Sequence, residues 1–384
     1  MRIGIFVMKA GTGAGGLETY DANLIRSLAR IDSNNDYRIY CLAPGIVDLL
    51  SVDRPNFSFR ALWPHNKWIS IPVALPLAMA RDRLDLFHGA FVPPPFSPCD
   101  YVFTLHDVYM FLYPEFLPPL LRFRLRRLLA RSIRKAAHII CVSQSVHDHV
   151  AERFGVAGER LSVVYHGVEE MFRPLDREAN ARILDERYGI SGPYLFFAGR
   201  FEPRKNVVRI LEAFDIFRRE SGGTTRLVLA GEKTWSRAEV DATIARLGLR
   251  EDVIELGNIP RAALPPLYSG ALAFVFPSLW EGFGLPIVEA MACGTPVITG
   301  NLSAMPEIAG GAALLVDPNR VDSIAEAMLR IAREQGLREA LIEKGLSRAR
   351  EFDWDRTARE TLAIYQRLGG KSTKRFGKWA ERAP

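Results

Sequence analysis

Residues Pro277–Val297 read PSLWEGFGLPIVEAMACGTPV, and this stretch decides the fold predicted for the second half of the chain. It follows an apolar run, Ala271–Phe276, which has the length and the β-branched and aromatic composition of a buried strand. Glycines then bracket a loop, and a helix is predicted to begin near Leu285 because Pro286 is tolerated in a first helical turn. The loop therefore lies at the carboxyl end of a strand, where open α/β sheets hold their ligands.

Two glutamates in this stretch, Glu281 in the loop and Glu289 in the helix, stand eight positions apart. Gly282 and Gly284 let the backbone approach a ligand, and the amides at the start of the helix favour an anion or a polar sugar ring. Carboxylates at such a turn are most simply explained as hydrogen-bond acceptors for hydroxyl groups. The alternative is structural, with Glu281 capping the helix and Glu289 solvated on its surface.

The composition indicates two globular domains in a reducing compartment. The 384 residues exceed what one core usually contains, and 48% hydrophobic with 24% charged residues can build two. The four cysteines form no C-x-x-C pair, which argues against a disulfide framework or a zinc site. The apolar part of MRIGIFV is too short for a signal peptide, and Trp68–Ala80 falls short of the roughly 20 residues that span a bilayer. We therefore expect a cytoplasmic protein, soluble or peripheral at the inner face of the membrane.

The charge distribution permits an anionic partner. The net charge is +6, and no acidic residue occurs between Phe116 and His147. A leucine-rich helix in that interval carries the basic residues Arg122, Arg124, Arg126, Arg127, Arg131, Arg134 and Lys135. This Arg122–Lys135 helix fits an anionic membrane surface, and a solvated helix with one buried face is an equally good interpretation. Nucleic acid is not expected as a partner, because stacking aromatic residues do not alternate with the charges.

The first half alternates predicted strands and helices, as in a doubly wound parallel sheet. It begins with the strand Arg2–Val7, the glycine-rich Gly11–Gly16 and a helix ending near Ile31. This layout suits phosphate binding, with a plain tight turn as the alternative. It is not a Walker A motif, and no acid ends the second strand as a dinucleotide fingerprint requires. Further strands are predicted at Phe57–Leu62, Asp85–His88, Tyr101–Leu105 and His138–Val142.

His106 and Asp107 directly follow the predicted strand Tyr101–Leu105. Chemistry in such sheets is placed at the carboxyl ends of strands, so His106 is a candidate functional residue. A purely structural histidine in the loop is the alternative at this point.

The second half restarts the alternation after residues 170–192, where apolar runs lapse and a domain boundary is predicted. Arg200 and Lys205 lie between the strand Tyr194–Ala198 and a helix that begins at Val207. Two cations at this junction can converge with helix amides on a diphosphate, whereas either one alone would suggest a surface charge. A last helix, Trp354–Leu368, precedes a basic tail.

The string EGFGLPIVE of residues 281–289 resembles the E-x7-E signature of the retaining family-4 glycosyltransferases, which have the GT-B fold. The likeness continues in Thr295–Gly300 and Met305–Pro318, and it is weaker in the first half of the chain. It implies an α/β fold of two Rossmann-like domains that face a cleft. Residues 1–170 would form the acceptor side, residues 171–352 the donor-binding domain, and residues 353–384 a helix that crosses back to the first domain with a basic tail.

The resemblance also implies roles for residues in G-R-x4-K and G-G-L-E. Arg200 and Lys205 would neutralise the donor diphosphate as it leaves, and Gly15 and Gly16 would donate amides to the same phosphates. His106 would touch the transferred sugar near its anomeric carbon.

In the E-x7-E motif, the resemblance implies that Glu281 holds the sugar hydroxyls and Glu289 the ribose. His166 stands where many members of the family carry asparagine. The remaining donor-binding positions are Gly199, Gly231, Ile259, Gly282, Phe283, Gly284 and Leu285.

We predict a retaining glycosyltransferase of the mannosyltransferase-like branch, which moves a hexose from a nucleoside-diphosphate sugar to a saccharide or lipid-linked acceptor of bacterial surface polysaccharide synthesis. GDP-mannose is the first donor considered and a UDP-hexose the second. No metal and no cofactor is expected, because no convincing Asp-x-Asp pair ends a strand. The alternatives are a nucleotide-sugar epimerase on the same scaffold, a non-catalytic sugar-nucleotide-binding module and an NAD-dependent dehydrogenase, which the missing ribose acid disfavours.

Overall fold

The computed structural model describes residues 1–7, 15–42, 50–90, 93–116, 119–232, 234 and 236–369. Positions 11–14 of the glycine-rich loop and the tail from position 370 therefore lie outside the described residues. The chain divides into two compact units. Unit 1 comprises residues 1–167 and the chain from Asp353 onward, and unit 2 comprises Val168–Phe352. The first part of unit 1 ends at Gly167, and the sequence predicted a domain boundary after residue 170.

Unit 1 contains a parallel sheet whose strand order reverses once. Its described strands are β1 (Arg2–Val7), β2 (Asp36–Cys41), β3 (Phe57–Ala61), β4 (Leu86–Gly89), β5 (Asp100–Leu105), β6 (His138–Cys141) and β7 (Leu161–Val163). They are ordered β3-β2-β1-β4-β5-β6-β7, with Ile3 of β1 opposite Tyr37 on one side and Leu86 on the other. The order reverses between β1 and β4, so their carboxyl ends flank a switch point, where such sheets bind ligands.

The helices of the first part of unit 1 cover this sheet. They are α1 (Gly16–Ile31), α2 (Lys67–Ile69), α3 (Leu75–Arg81), α4 (Tyr109–Leu112), α5 (Pro119–Lys135) and α6 (Gln144–Phe154), and a π-helical turn, Ser70–Ala74, joins α2 to α3. In α1 the apolar residues at helical spacing, such as Leu24 and Leu28, are buried. Ser143 caps α6, because its side chain accepts the amide of Val146 at 3.2 Å.

Unit 2 repeats the same architecture with different connections. Its described strands are β8 (Tyr194–Ala198), β9 (Arg226–Ala230), β10 (Val253–Gly257), β11 (Ala273–Phe276), β12 (Val297–Gly300) and β13 (Leu314–Val316), ordered β10-β9-β8-β11-β12-β13. The helices are α7 (Arg177–Tyr188), α8 (Val207–Ser221), α9 (Arg237–Leu247), α10 (Leu264–Ser269), α11 (Leu285–Ala292), α12 (Met305–Ala309), α13 (Val321–Arg333) and α14 (Gln335–Ala349). The switch point lies between β8 and β11. The predicted pair of doubly wound parallel sheets is confirmed.

The core of unit 2 is built from the aromatic strands. All five residues of β8 are buried, and Phe274 and Phe276 of β11 are completely buried with ring centroids 5.4 Å apart. Parallel strands that are covered on both faces have continuous apolar sequences, because side chains on both sides of the strand are buried. Each buried phenylalanine contributes about 2 kcal/mol, which holds the ends of β8 and β11 in fixed positions.

The last helix, α15 (Trp354–Gly369), belongs to unit 1 and packs against α1. The Oγ1 atom of Thr357 donates to the carbonyl of Tyr165 at 2.6 Å. A Cβ atom on Gly167 would lie 2.2 Å from the backbone nitrogen of Trp354, so only glycine fits where the two segments meet. None of the helices in the described ranges has both the length and the apolar character needed to cross a bilayer.

Candidate active site

The carboxyl ends of β8 and β11, which flank the switch point of unit 2, carry a buried ion pair. Lys205 ends the short turn Pro203–Lys205 after β8, and Glu281 lies in the loop after β11. The Nζ atom of Lys205 donates to Oε1 of Glu281 at 2.7 Å, and each side chain is only 9% exposed. The fold thus joins two predicted site residues that are 76 positions apart in the chain.

Arg204 completes this group, which we call the Glu281 cluster: Lys205, Arg204 and Glu281. The Nη1 atom of Arg204 donates to Oε1 of Glu281 at 3.1 Å, and its Nε atom donates to Glu202 at 2.9 Å. The backbone carbonyl of Arg204 also accepts the amide of Leu279 at 2.8 Å, which ties the two loops together. Sequence reasoning missed Arg204, because it treated the residues between Arg200 and Lys205 as a spacer; a second cation beside Lys205 was the available signal.

The cluster holds its charges against the cost of burial. Burial raises the pKa of Glu281, but Lys205, Arg204 and hydrogen bonds outweigh it and keep that pKa below the ordinary value. Burial lowers the pKa of Lys205, and Arg204 acts in the same direction against the attraction of Glu281. An anionic ligand beside Lys205 would therefore favour its charged form, because added negative charge opposes the desolvation.

The loop after Glu281 leads directly into α11. Gly284 precedes the helix with a φ of 99°, a conformation that favours glycine, and Pro286 occupies the first turn. None of the described side chains caps this helix end. The backbone amide of Glu281 donates to Oγ of Ser303 at 3.0 Å, which holds the start of the loop. The predicted positions Gly282, Phe283, Gly284 and Leu285 thus lie together between the Glu281 cluster and the positive end of the helix dipole.

Glu289 lies inside unit 2, so the solvated alternative is wrong for this residue. Its side chain is 2% exposed, and its two oxygens accept hydrogen bonds from Arg261 at 2.7 Å and from the Tyr268 hydroxyl at 3.1 Å. Arg261 also pairs with Glu169 at 2.5 Å and lies over the ring of Phe172. Sequence reasoning did not identify Arg261 or Tyr268 as partners, since the pairing depends on how the loop after β10 and α10 pack.

Arg200 shares an acidic partner, Glu202, with Arg204 of the Glu281 cluster. Its side chain is 53% exposed and pairs with Glu202 at 3.5 Å and Glu232 at 3.4 Å. The structure therefore pairs Lys205 directly with Glu281 and links Arg200 to the Glu281 cluster through Glu202.

The ends of β8, β9 and β10 border a cavity of about 430 Å³. A Cβ atom on Gly231 would lie 2.0 Å from the carbonyl oxygen of Gly199, so glycine is required where these two strand ends touch. Gly231, Gly257 and Asn258 line the cavity, and the predicted position Ile259 follows Asn258 in the chain.

In unit 1, His106 follows β5 with its imidazole partly enclosed. Its ring packs edge-on against Tyr20 with centroids 4.6 Å apart and lies 5.3 Å from the ring of His166. The Nε2 atom is buried and has no hydrogen-bond partner among the described residues. Burial lowers the pKa of His106 to about 3, so the ring is neutral near neutral pH. Asp107 accepts the amide of Tyr109 at 2.8 Å at the start of α4.

A hydrogen-bonded chain surrounds this part of unit 1 and was not predicted. Thr104 bonds to both Tyr20, at 2.8 Å, and Nε2 of His88, at 2.7 Å, while Nδ1 of His88 bonds to the hydroxyl of Tyr365 in α15. Burial lowers the pKa of His88 to about 3 and that of His166 well below its ordinary value. The three histidines at this edge of the sheet are therefore neutral near neutral pH.

Gly15 and Gly16 stand at the beginning of α1. Gly15 has a φ of 77°, which favours glycine, and its carbonyl accepts the amide of Thr19 at 3.2 Å. Both glycines and His106 belong to unit 1, whereas Arg200, Lys205 and both predicted glutamates belong to unit 2. Within the described ranges, no group of three or more His, Cys, Asp or Glu side chains is arranged to hold a metal ion.

Comparison with known proteins identifies the family. Residues 14–171 match the family described as Glycosyltransferase Family 4, and residues 185–348 match the Glycosyl transferases group 1 family. The O-antigen chain mannosyltransferase B of Escherichia coli is 32% identical over 290 residues, covering 75% of this chain and 76% of the relative. The chain belongs to the group 1 glycosyltransferases. The family resemblance predicted from the E-x7-E string is thus confirmed, and this group 1 glycosyltransferase has the predicted GT-B fold.

Two further comparisons place this glycosyltransferase among its relatives. The serotype-specific mannosyltransferase WbdA of Escherichia coli is 27% identical over 371 residues, which are 90% of this chain and 44% of WbdA. The chain therefore spans less than half the length of that relative. The structure of Anabaena HepE in complex with UDP-glucose shares the fold with a TM-score of 0.75 at 17% identity, covering 95% of this chain and 99% of HepE.

Proposed function

We propose that this glycosyltransferase moves a hexose, with retention of anomeric configuration, from a nucleoside-diphosphate sugar to a saccharide or lipid-linked acceptor in the synthesis of a bacterial surface polysaccharide. The observation that carries the proposal is the Glu281 cluster at the switch point of unit 2. Cleavage of a sugar–phosphate bond builds negative charge on the diphosphate. Fixed cations in a buried position stabilise that charge most in the transition state.

In the proposed reaction, the bond between the anomeric carbon and the diphosphate oxygen breaks, and its electron pair stays on the diphosphate. The acceptor hydroxyl oxygen forms the new bond on the same face of the sugar, and its proton passes to the departing phosphate oxygen. Lys205 and Arg200 neutralise the diphosphate, so the proposal requires no metal and no cofactor. Glu281 is held by two cations, which suits a positioned acceptor for sugar hydroxyls better than a covalent nucleophile.

The remaining predicted residues take binding roles in this proposal. Glu289, held in orientation by Arg261 and Tyr268, accepts hydrogen bonds from the ribose. The amides of Gly15 and Gly16 reach the phosphates. The neutral imidazole of His106, whose Nε2 atom has no partner within the described part of the chain, bonds to the transferred sugar.

GDP-mannose is the proposed donor, and a UDP-hexose is the second candidate. The names of mannosyltransferase B and WbdA support mannose and a polysaccharide product. The HepE complex supports a nucleotide-sugar donor of the UDP class. The proposed compartment is the cytoplasm, because all four cysteines are free thiols, as is usual in reducing compartments.

The first test is the thermal stability of the whole chain with GDP-mannose, UDP-glucose and ADP-glucose. A donor well above its dissociation constant is expected to add roughly 3 kcal/mol to the free energy of unfolding. The same shift should be lost in Lys205→Ala. The absence of a shift with every nucleotide sugar would remove the proposal.

The second test measures release of the nucleoside diphosphate with and without saccharide or polyprenyl-linked acceptors. A transferase releases the diphosphate in an acceptor-dependent way and forms a glycosylated product. Conversion of the donor sugar without any acceptor would instead support the epimerase. Donor binding with no turnover under any condition would support the non-catalytic module.

A further inference from the structure

Most of the exposed large apolar side chains lie in two segments of unit 1, residues 63–81 and helix α5, and Phe96 lies outside both. The large hydrophobic residues exposed in unit 1 are Trp63, Trp68, Ile69, Val73, Leu77, Phe96, Leu120, Phe123 and Leu128, whereas Leu315 is the one that unit 2 exposes among the described residues. Trp68 is 59% exposed, Leu77 66% and Phe123 55%. Apolar groups gathered in this way mark an interaction surface rather than the scattered exposure of an ordinary protein.

Helix α5 has two distinct faces. Leu129, Ser132 and Ile133 are buried against unit 1, whereas Leu120, Phe123 and Leu128 recur at helical spacing on the outward face. Exposed cations share that outward face: Arg124, Arg127, Arg131, Arg134 and Lys135. One face of α5 is therefore buried and the other combines apolar and basic groups, while membrane docking of this helix stays a prediction.

A second segment, residues 63–81, extends this face. Ile69, Val73 and Leu77 are exposed at four-residue spacing along α2, the π-helical turn and α3. The guanidinium of Arg124 lies 5.7 Å from the ring centroid of Trp68, so the second segment adjoins α5. We call the combined area, from residues 63–81 and the outward face of α5, the Trp68–Phe123 surface.

The charge of the Trp68–Phe123 surface has one sign. Neither 54–81 nor 116–147 contains an acidic residue. The acids that border these ranges are Asp53, Asp82, Glu115 and Asp148, and Asp82 is paired with Arg60 at 2.9 Å. Arginine guanidinium groups also lie over exposed rings, Arg127 over Phe123 and Arg131 over Phe96. Aromatic and aliphatic side chains surrounded by cations suit an interface where apolar groups enter acyl chains and the cations meet lipid phosphates.

We propose that the Trp68–Phe123 surface docks unit 1 onto an anionic phospholipid bilayer. The aliphatic residues Ile69, Val73, Leu77, Leu120 and Leu128 favour a bilayer over nucleic acid, because they can neither stack on bases nor pair with phosphates. The surface lies outside the site described above, so its test is independent of the proposed reaction.

The experiment is sedimentation of the full chain with vesicles of phosphatidylcholine and with an equal mixture of phosphatidylcholine and phosphatidylglycerol. Binding is expected only to the anionic vesicles and should weaken as salt is raised. The apolar variant Trp68→Ser with Phe123→Ser should lower vesicle binding at least about tenfold, because it removes two aromatic rings that would enter the bilayer. The charge variant Arg124→Glu with Arg127→Glu should also lower vesicle binding at least about tenfold.

Matched controls lie in unit 2. Arg182→Glu with Arg187→Glu makes the same change in net charge on the exposed face of α7, and Leu315→Ser removes an exposed apolar group. Both controls should bind vesicles as the wild type does, and circular dichroism melts show whether each variant folds.

Three results would overturn the proposal. They are equal binding of wild type and both surface variants, equal loss in the unit 2 controls, and a wild-type dimer by light scattering that the surface variants convert to a monomer without any vesicle binding. Single-stranded RNA bound more tightly than the anionic vesicles would also count against it.

Discussion

In unit 2, the sheet edge at the switch point carries a buried ion cluster, Lys205, Arg204 and Glu281, whereas the corresponding edge of unit 1 carries three histidines that burial keeps neutral. Both edges belong to doubly wound parallel sheets of similar size. The same topology therefore supports opposite electrostatics. In unit 2, opposite charges compensate one another's burial, and in unit 1 burial removes the charge instead.

The difference matches the two kinds of chemistry that a glycosyl transfer requires. A departing diphosphate is an anion, and preorganised cations stabilise it. A sugar ring is neutral, and a neutral imidazole or a carboxylate can hydrogen-bond its hydroxyls without added charge. The following variants test the comparison between the two edges, from the largest expected effect to the smallest.

Removing the shared carboxylate is expected to have the largest effect on stability. Glu281→Ala leaves Lys205 buried without its 2.7 Å partner, so the free energy of unfolding should fall by about 3 kcal/mol. Urea unfolding of the variant measures this loss. Glu334→Ala, which removes an exposed carboxylate that pairs with Arg330 at 3.0 Å, is the control and should cost no more than about 1 kcal/mol. Equal losses in the two variants would contradict the special role of Glu281.

Removing the buried cation is expected to lower activity more than stability. Lys205→Ala should reduce kcat/KM at least about tenfold, a loss of ~1.4 kcal/mol of transition-state stabilisation, because charge on the diphosphate is no longer neutralised. Steady-state assays with the best donor measure this ratio. Lys344→Ala on the exposed side of α14 is the control and should leave kcat/KM unchanged. A folded Lys205→Ala enzyme with wild-type activity would exclude the proposed role.

The neutral edge of unit 1 should make the protein less stable in acid. The folded pKa of His166 lies well below the ordinary value, so its contribution is present above about pH 6.5 and is lost as pH falls. Replacement by a residue that does not titrate, His166→Asn, should reduce the slope of stability against pH by up to about 1.4 kcal/mol per pH unit. Urea midpoints between about pH 7 and about pH 5 measure the slope. An unchanged slope would show that the pKa of His166 is the same in the folded and the unfolded protein.

Arg200→Ala should have the smallest effect on stability. The side chain is 53% exposed and its carboxylate partners are 3.4 and 3.5 Å away, so the free energy of unfolding should change by less than about 0.5 kcal/mol. Its proposed contact with the diphosphate nevertheless predicts a loss of kcat/KM of roughly tenfold. Unaltered turnover would show that Arg200 does not act on the diphosphate and would leave that role to the cations of the Glu281 cluster.

Much of the fold could be predicted because local pattern and burial agree in this chain. The apolar strands Arg2–Val7 and Tyr194–Ala198 lie where the sequence predicted them. Helices α9 and α10 were not predicted. Helix α9 has a mixed polar sequence without a strong apolar period, and α10 spans only six residues, two of which are proline. Helix α7 also lies in the stretch where apolar runs lapse and only a boundary was predicted.

The candidate site was only partly predictable. The eight-residue spacing in one loop and helix indicated Glu281 and Glu289 as site residues, and the junction after Tyr194–Ala198 indicated Lys205. The roles of all three remain predictions. Their partners could not be read in the same way, because Arg261 meets Glu289 through packing across 28 positions and His88 meets Tyr365 across 277. The burial of Glu289 could not be predicted either. A helix that is covered on every side has no polar face, so its sequence does not show which residues face the core.

By itself, the sequence determined the alternation of strands and helices, the E-x7-E string and the excess of positive charge in the first half, because these depend on residue order alone. Only the tertiary structure decided which charged side chains form pairs, which histidines are neutral and which face of α5 is exposed. Ion pairing, burial and exposure depend on distances between residues far apart in the chain, and those distances exist only once the strands have packed.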